Sequence, residues 1–307
     1  MTTPDFHDPR LTEQRNPRTE RIDVASSLEI VELLNAEDAR VAGAALRCRE
    51  SIARAIDLVV DALKAGGRLI YVGAGTSGRL GVLDAAECPP TFGTPPELVV
   101  GVIAGGYVAL VKPVEGAEDD VNAGMASMDD ARVTARDVVI GIAASGTTPF
   151  VRAALGRAQT IGAVTGLISC SAPPAQLADT CDVLILPEVG PEALTGSTRM
   201  KAGTVTKLVL NTLTTGAMIR LGKVYGNLMV DLTATSDKLR DRGERIVMEC
   251  CAVDRARARA AIAAAGGSVK LAIVMVRLGV GKDDARRALE TAGGFVRNAV
   301  GDPPSVR

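Results

Sequence analysis

Short apolar runs at 68–72, 98–103, 137–142, 162–168 and 182–186 punctuate the chain's middle. Their length and β-branched content predict buried strands. Between them the apolar positions shift to helical spacing near 78–86, 119–129 and 149–159. Strands alternating with helices predict a three-layer α/β/α domain built on a parallel sheet. Upstream, Ser26-Ser27 with Glu29 close behind reads as a helix start. Ile52, Ile56, Val59 and Leu63 then line one helical face, which Gly66-Gly67 closes. Residues 1–25 carry no such periodicity and read as an extended arm. A long helix is expected over 201–221, and short Ala/Arg-rich helices over 254–264, 268–276, 283–291 and 294–300 form a C-terminal bundle. The expected regions are therefore an arm with N-terminal helices (1–58), the sheet domain (59–222) and a helical region (223–307).

Composition narrows the function. The 307 residues are 47% hydrophobic and 23% charged, with net charge −1, which gives no overall electrostatic case for nucleic acid or an anionic membrane. With no Trp, three Tyr and four Phe, a base-stacking surface is hard to build. No apolar run is long enough for a bilayer, and the polar N-terminus lacks a signal-peptide core, so a cytoplasmic protein is expected. Cys48, Cys88, Cys170, Cys181, Cys250 and Cys251 form no C-x-x-C pair and read as small buried residues, with Cys88 placed to line a pocket. His7, in the arm, is the single histidine. Imidazole-based triads and His-rich zinc sites are thereby disfavoured, which leaves carboxylates, Lys or Tyr for proton transfer.

Candidate chemistry sits in turns that follow strands. Gly73-Ala74-Gly75-Thr76-Ser77-Gly78-Arg79 follows the first, and Ala143-Ala144-Ser145-Gly146-Thr147-Thr148-Pro149 follows the third. Glycines admit a ligand close to the backbone, hydroxyls add donors, and a helix start favours an anion. Two such turns predict a phosphorylated small molecule held from two sides, with Gly75, Thr76, Ser77, Gly78, Arg79, Ser145, Gly146, Thr147 and Thr148 as candidate contacts. The first turn lacks the Gly-Lys-Ser/Thr of a P-loop. It has the G-x-G-x-x-G spacing of a dinucleotide site, but no acidic residue ends the following strand. Ser197, Arg199 and Lys201, at the start of the long helix, form a third candidate anion site. Among the carboxylates, Glu87 lies in a largely apolar, proline-bearing stretch that would raise its pKa by desolvation. Glu115, Glu118, Asp119 and Asp120 form an acidic cluster, readable as an ordinary first helical turn or as the source of a base.

Gly73–Arg79, Asp84–Pro90, Val114–Asp119, Gly196–Gly203 and Gly222–Leu232 together resemble the N-acetylmuramic acid 6-phosphate etherases, a family built on the sugar isomerase (SIS) domain. The similarity runs from about Leu11 to Val300, with glucokinase regulatory protein as a more distant relative. The resemblance implies conversion of N-acetylmuramate 6-phosphate and water to N-acetylglucosamine 6-phosphate and D-lactate, with no metal or organic cofactor. It implies a proton donor at Glu87, a second catalytic carboxylate at Glu118, phosphate contacts from Thr76, Ser77, Ser145 and Thr148, and a homodimer. Thr147 stands where some relatives have Arg. The expected chemistry is β-elimination from the open-chain aldehyde followed by hydration, with Glu118 as the C2 base and Glu87 as the acid. Exchanging the two roles gives the same reaction. The alternatives are a SIS aldose–ketose isomerase and a sugar-phosphate-binding regulatory protein.

Overall fold

The computed structural model describes residues 8, 10–232 and 237–305. His7 lies outside them. The chain forms two compact units: one takes the described residues up to Ala86 together with Glu97–Thr214, the other Glu87–Pro96 together with the described residues from Thr215 onward. The arm and N-terminal helices thus belong to the same unit as the sheet.

In the first unit the arm is not extended. It winds into 3₁₀ turns at Leu11–Glu13, Pro17–Thr19 and Ile22–Val24. Its anchors are polar: Thr12, Asn16 and Thr19 are buried. Asn16 donates to the Pro191 carbonyl and Thr19 to that of Ala193. Then come α1 (Ser27–Asp38), α2 (Val41–Arg47) and α3 (Arg49–Lys64). The predicted start of α1 is a capping box, with Ser26 and Glu29 each satisfying the other's backbone N–H. On α3, Ile52 and Val59 are buried, while Ile56 and Leu63 are half-buried beside them.

The five predicted strands are all present: β1 (Leu69–Gly73), β2 (Val99–Ile103), β3 (Val138–Ile142), β4 (Val164–Ile168) and β5 (Val183–Ile185). They pair in parallel in the order β2-β1-β3-β4-β5. β1 and β3 are buried along their whole length, as strands covered on both faces must be. The helices α4 (Gly75–Phe92), α5 (Val121–Asp130), α6 (Pro149–Ile161) and α7 (Ala175–Ala178) alternate with the strands, and α8 (Lys201–Arg220) follows β5. Ile70, Val72 and Val139 pack with Met128, Phe150 and Leu155 in the main core. α4 runs well past its expected end and carries Pro89 and Pro90 inside it. Each proline removes one intrahelical hydrogen bond from the turn that holds Glu87.

The second unit has a short hairpin, β6 (Val224–Tyr225) with β7 (Leu228–Met229), and then α9 (Asp237–Cys251), α10 (Arg255–Ala264), α11 (Val269–Leu278), α12 (Lys282–Thr291) and α13 (Val296–Val300). Its core is Tyr225, Val230, Ile246, Val247, Ile273, Val274 and Val296. The Tyr225 hydroxyl donates to the Gly301 carbonyl at 2.9 Å, tying the hairpin to the C-terminal end. No single helix among the described residues is long and apolar enough to cross a membrane. The pair α10–α11 passes by length and composition, but it bends by 109° and α11 buries Val269, Leu271, Ala272, Ile273 and Val274 in this core.

Candidate active site

Sheet register builds the site. Gly73, the last residue of β1, pairs with Ile142, the last of β3. The turns after these adjacent strands therefore emerge side by side at the carboxyl edge. There the chain's order reverses, with β2 on one side of β1 and β3 on the other. Between them lies a cleft of about 350 Å³ lined by Gly75, Thr76, Ser77, Ser145, Thr147, Thr148 and Glu118, among others.

Each turn has its own local cause. In the first, a side chain on Gly78 would meet Ile103 Cγ1 at 2.6 Å and the Gly73 carbonyl oxygen at 2.7 Å, so only glycine lets α4 start this close to β1. Gly78 is thus a packing residue and does not line the cleft. In the second, Gly146 has φ +72° and sits against Pro173 and Ser169. It too shapes the turn without lining the cleft. Ser145 Oγ and Thr147 Oγ1 share a hydrogen bond of 2.9 Å, and the Thr147 N–H donates to Ser145 Oγ at 3.3 Å. α6 then begins with Pro149 and no side-chain cap on its first turn. Its leading N–H groups remain available to a ligand, and hydroxyls and helix start together suit a phosphate.

Glu118 lies in the 3₁₀ turn Ala117–Asp119 and lines the cleft with Asp119. Asp120 is used differently: it caps α5 by accepting from the Ala123 N–H at 2.8 Å. Glu115 is exposed and is not among the lining residues. The acidic cluster therefore contains both a helix cap and a cleft carboxylate.

Glu87 is exposed on α4 and has no hydrogen-bond or ion-pair partner among the described residues. The desolvation expected from its apolar sequence neighbours is not supplied by them, and it does not line the cleft. One turn earlier, Asp84 is buried. It accepts from Tyr71 Oη at 3.0 Å, Asn211 Nδ2 at 2.6 Å and Thr214 Oγ1 at 3.2 Å. Burial raises its pKa against the pull of these donors. This network fixes α4 to β1 and α8.

The structure does not gather the three residues of the third candidate anion site at the cleft. Lys201 is buried, and its ammonium donates to Glu37 Oε2 at 2.5 Å, the Val189 carbonyl at 3.0 Å and the Pro191 carbonyl at 2.6 Å. All three of its donors are used within the chain, which ties Lys201 to the fold. The start of α8 already holds an anion: buried Glu192 accepts from the Lys201 and Ala202 N–H groups at 3.1 and 2.8 Å. Arg199 is exposed, and neither it nor Ser197 lines the cleft, whereas Gly196 and Thr198 do. Arg79 is also directed elsewhere, its Nε donating to the Leu110 carbonyl at 3.2 Å.

Two lining residues had no sequence signal. Arg10 and Glu13 reach the cleft because the arm folds back. The Gly196 N–H donates to the Thr12 carbonyl at 3.0 Å, and Thr12 Oγ1 donates to Glu13 Oε1 at 3.0 Å. No cysteine lines the cleft, and burial pushes the thiols of Cys170 and Cys250 up to about 12 and that of Cys181 to about 11. No group of His, Cys, Asp and Glu among the described residues is arranged to hold a metal ion.

Relatives give this geometry a family. Curated N-acetylmuramic acid 6-phosphate etherases of Yersinia pestis and Yersinia pseudotuberculosis are each 53% identical over 290 residues, covering 94% of this chain and 98% of theirs. The chain belongs to the N-acetylmuramic acid 6-phosphate etherase family. Residues 51–159 also match the glucokinase regulatory protein N-terminal SIS domain. A phosphoheptose isomerase from Francisella tularensis superposes with TM-score 0.51 at 17% identity, over 64% of this chain and all of that one, which shows a shared SIS fold. Within the etherase family frame, the hydroxyl turns and Glu118 lie in one cleft and Glu87 on the helix that the first turn begins.

Proposed function

We propose that this protein cleaves the D-lactyl ether of N-acetylmuramate 6-phosphate, adding water to give N-acetylglucosamine 6-phosphate and D-lactate. The observation that carries the reading is a carboxylate, Glu118, sharing a cleft with two hydroxyl turns in a chain 53% identical to etherases over nearly its full length.

Thr76, Ser77, Ser145, Thr147 and Thr148 hold the phosphate, with the open first turn of α6 behind the second group. The sugar reacts as its open-chain aldehyde, because the C1 carbonyl acidifies the C2 proton. Glu118 takes that proton, the C3–O bond breaks, and Glu87 protonates the departing lactate oxygen. An unsaturated aldehyde remains. Water adds at C3, giving its proton to Glu87, and Glu118 returns a proton to C2. Both carboxylates end as they began, and no redox partner is needed. Each acid or base of this kind contributes about 10²–10⁴-fold in rate. Two copies of the chain pair into a homodimer, as the family resemblance implies. A cytoplasmic setting suits a phosphosugar substrate.

The test is incubation of the purified protein with N-acetylmuramate 6-phosphate, following D-lactate and N-acetylglucosamine 6-phosphate. Equal release of both is expected. A ketose product without lactate indicates an isomerase, and binding without turnover indicates a regulatory protein; either result overturns the reading.

A further inference from the structure

The charge of the cleft does not match its proposed substrate. Glu13, Glu118 and Asp119 line it, and among the described lining residues Arg10 is the one cation. The substrate carries two anions, the phosphate on C6 and the lactyl carboxylate on C3. The phosphate meets hydroxyls and a helix start, and needs no side-chain cation. The carboxylate, three carbons away and next to the C2–C3 bond that reacts, meets neither. It enters a cleft wall that already holds carboxylates, and like charges at that range repel.

Arg10 is built to present a guanidinium there. Asp8 grips one edge of its fork, accepting from Nε at 2.9 Å and from Nη2 at 2.6 Å. Asp8 also accepts from the Arg10 backbone N–H at 2.9 Å, which fixes the turn. The Arg10 side chain is still 40% exposed, and its Nη1 donors have no partner among the described residues. Asp8 itself does not line the cleft. The following turn, Leu11–Glu13, is pinned through Thr12 to Gly196, so Arg10 is carried at the cleft rim. A guanidinium held along one edge by a carboxylate offers its other edge to a second.

The geometry points to Arg10 as the residue that binds the lactyl carboxylate and so distinguishes substrate from sugar product, which has lost that anion. This assignment rests on the etherase reading. Charge-assisted hydrogen bonds of this kind convert to about 10–100-fold in affinity.

The experiment compares wild type, Arg10→Ala and Arg10→Lys for the KM of N-acetylmuramate 6-phosphate and for the inhibition constant of N-acetylglucosamine 6-phosphate. Arg10→Ala is expected to raise KM about 10–100-fold while product inhibition stays within about twofold, and Arg10→Lys to recover part of the loss. In a second arm, wild type is given the analogue whose lactyl carboxylate is a neutral amide. The amide is expected to bind wild type about 10-fold or more weaker, with no further loss in Arg10→Ala. Equal weakening of substrate and product overturns the assignment and places Arg10 on the phosphate or in the fold. An unchanged KM overturns it as well, and so does an amide that wild type binds as well as the acid. The amide arm needs no folded variant. Absence of lactate release by wild type is a separate failure, that of the etherase reading itself.

Discussion

At the scale of single residues, the side chains divided by what they touch. Glu118 and Glu115 are three positions apart and chemically identical, yet only Glu118 lines the cleft. Glu118→Gln keeps the shape and removes the base, so kcat for lactate release should fall by about 10²–10⁴-fold with KM little changed. A comparable fall in Glu115→Gln would contradict the assignment. The hydroxyl turns were legible because their chemistry is local: glycine, hydroxyls and a helix start lie within seven residues of chain. Arg10 and Glu13 were not, because they reach the cleft through contacts with Gly196, nearly two hundred residues away, in an arm with no apolar periodicity. Glu87 shows the reverse failing. Apolar sequence neighbours suggested enclosure, but helical geometry turns those neighbours to other faces and leaves the carboxylate exposed.

At the scale of elements, helix starts that look alike in sequence do opposite things. α6 opens with its first turn uncapped at the cleft, whereas α8 opens onto its own buried Glu192. Ser197, Arg199 and Lys201 read as an anion site because a carboxylate nine residues upstream of Lys201 has no sequence signature as a cap. Lys201 instead joins Glu37, Arg18 and Asn16 in a network that fixes the arm against α1 and α8. Lys201→Met should therefore lower unfolding stability by about 3–5 kcal/mol, as for one lost partner of a buried pair, and leave the substrate KM of the folded protein unchanged. Urea titration and steady-state kinetics check both halves. The same network predicts acid sensitivity. The Arg18 hydrogen bond, with those of Lys201 and Asn16, overcomes burial and holds the Glu37 carboxyl at about 2, below its ordinary 4.5. A depressed pKa means the stabilisation is complete above 4.5 and is lost as pH falls towards about 2. Stability of Glu37→Gln should accordingly change less than that of wild type across this window, and equal slopes would contradict the account.

At the scale of the whole molecule, the alternation of strand and helix fixed the parallel sheet, because buried strands need continuous apolar runs and the crossover helices need amphipathic ones. Register then did what no motif states outright, setting Gly73 beside Ile142 so that turns seventy residues apart meet. The division of the chain was less legible. α4 and α8 each begin in the sheet unit and end in the other, so two of the three boundaries fall inside helices and only that at Pro96/Glu97 falls in a loop. If two copies pair, light scattering should give twice the chain mass at working concentrations, and activity should fall on dilution through the dissociation range; a fully active monomer would contradict the pairing. The mechanism itself is tested most directly by isotopes. Turnover of N-acetylmuramate 6-phosphate in heavy water enriched in oxygen-18 should give N-acetylglucosamine 6-phosphate with deuterium at C2 and the heavy oxygen at C3, and D-lactate without label. Heavy oxygen in the lactate hydroxyl, or its absence from C3 of the sugar product, would contradict it.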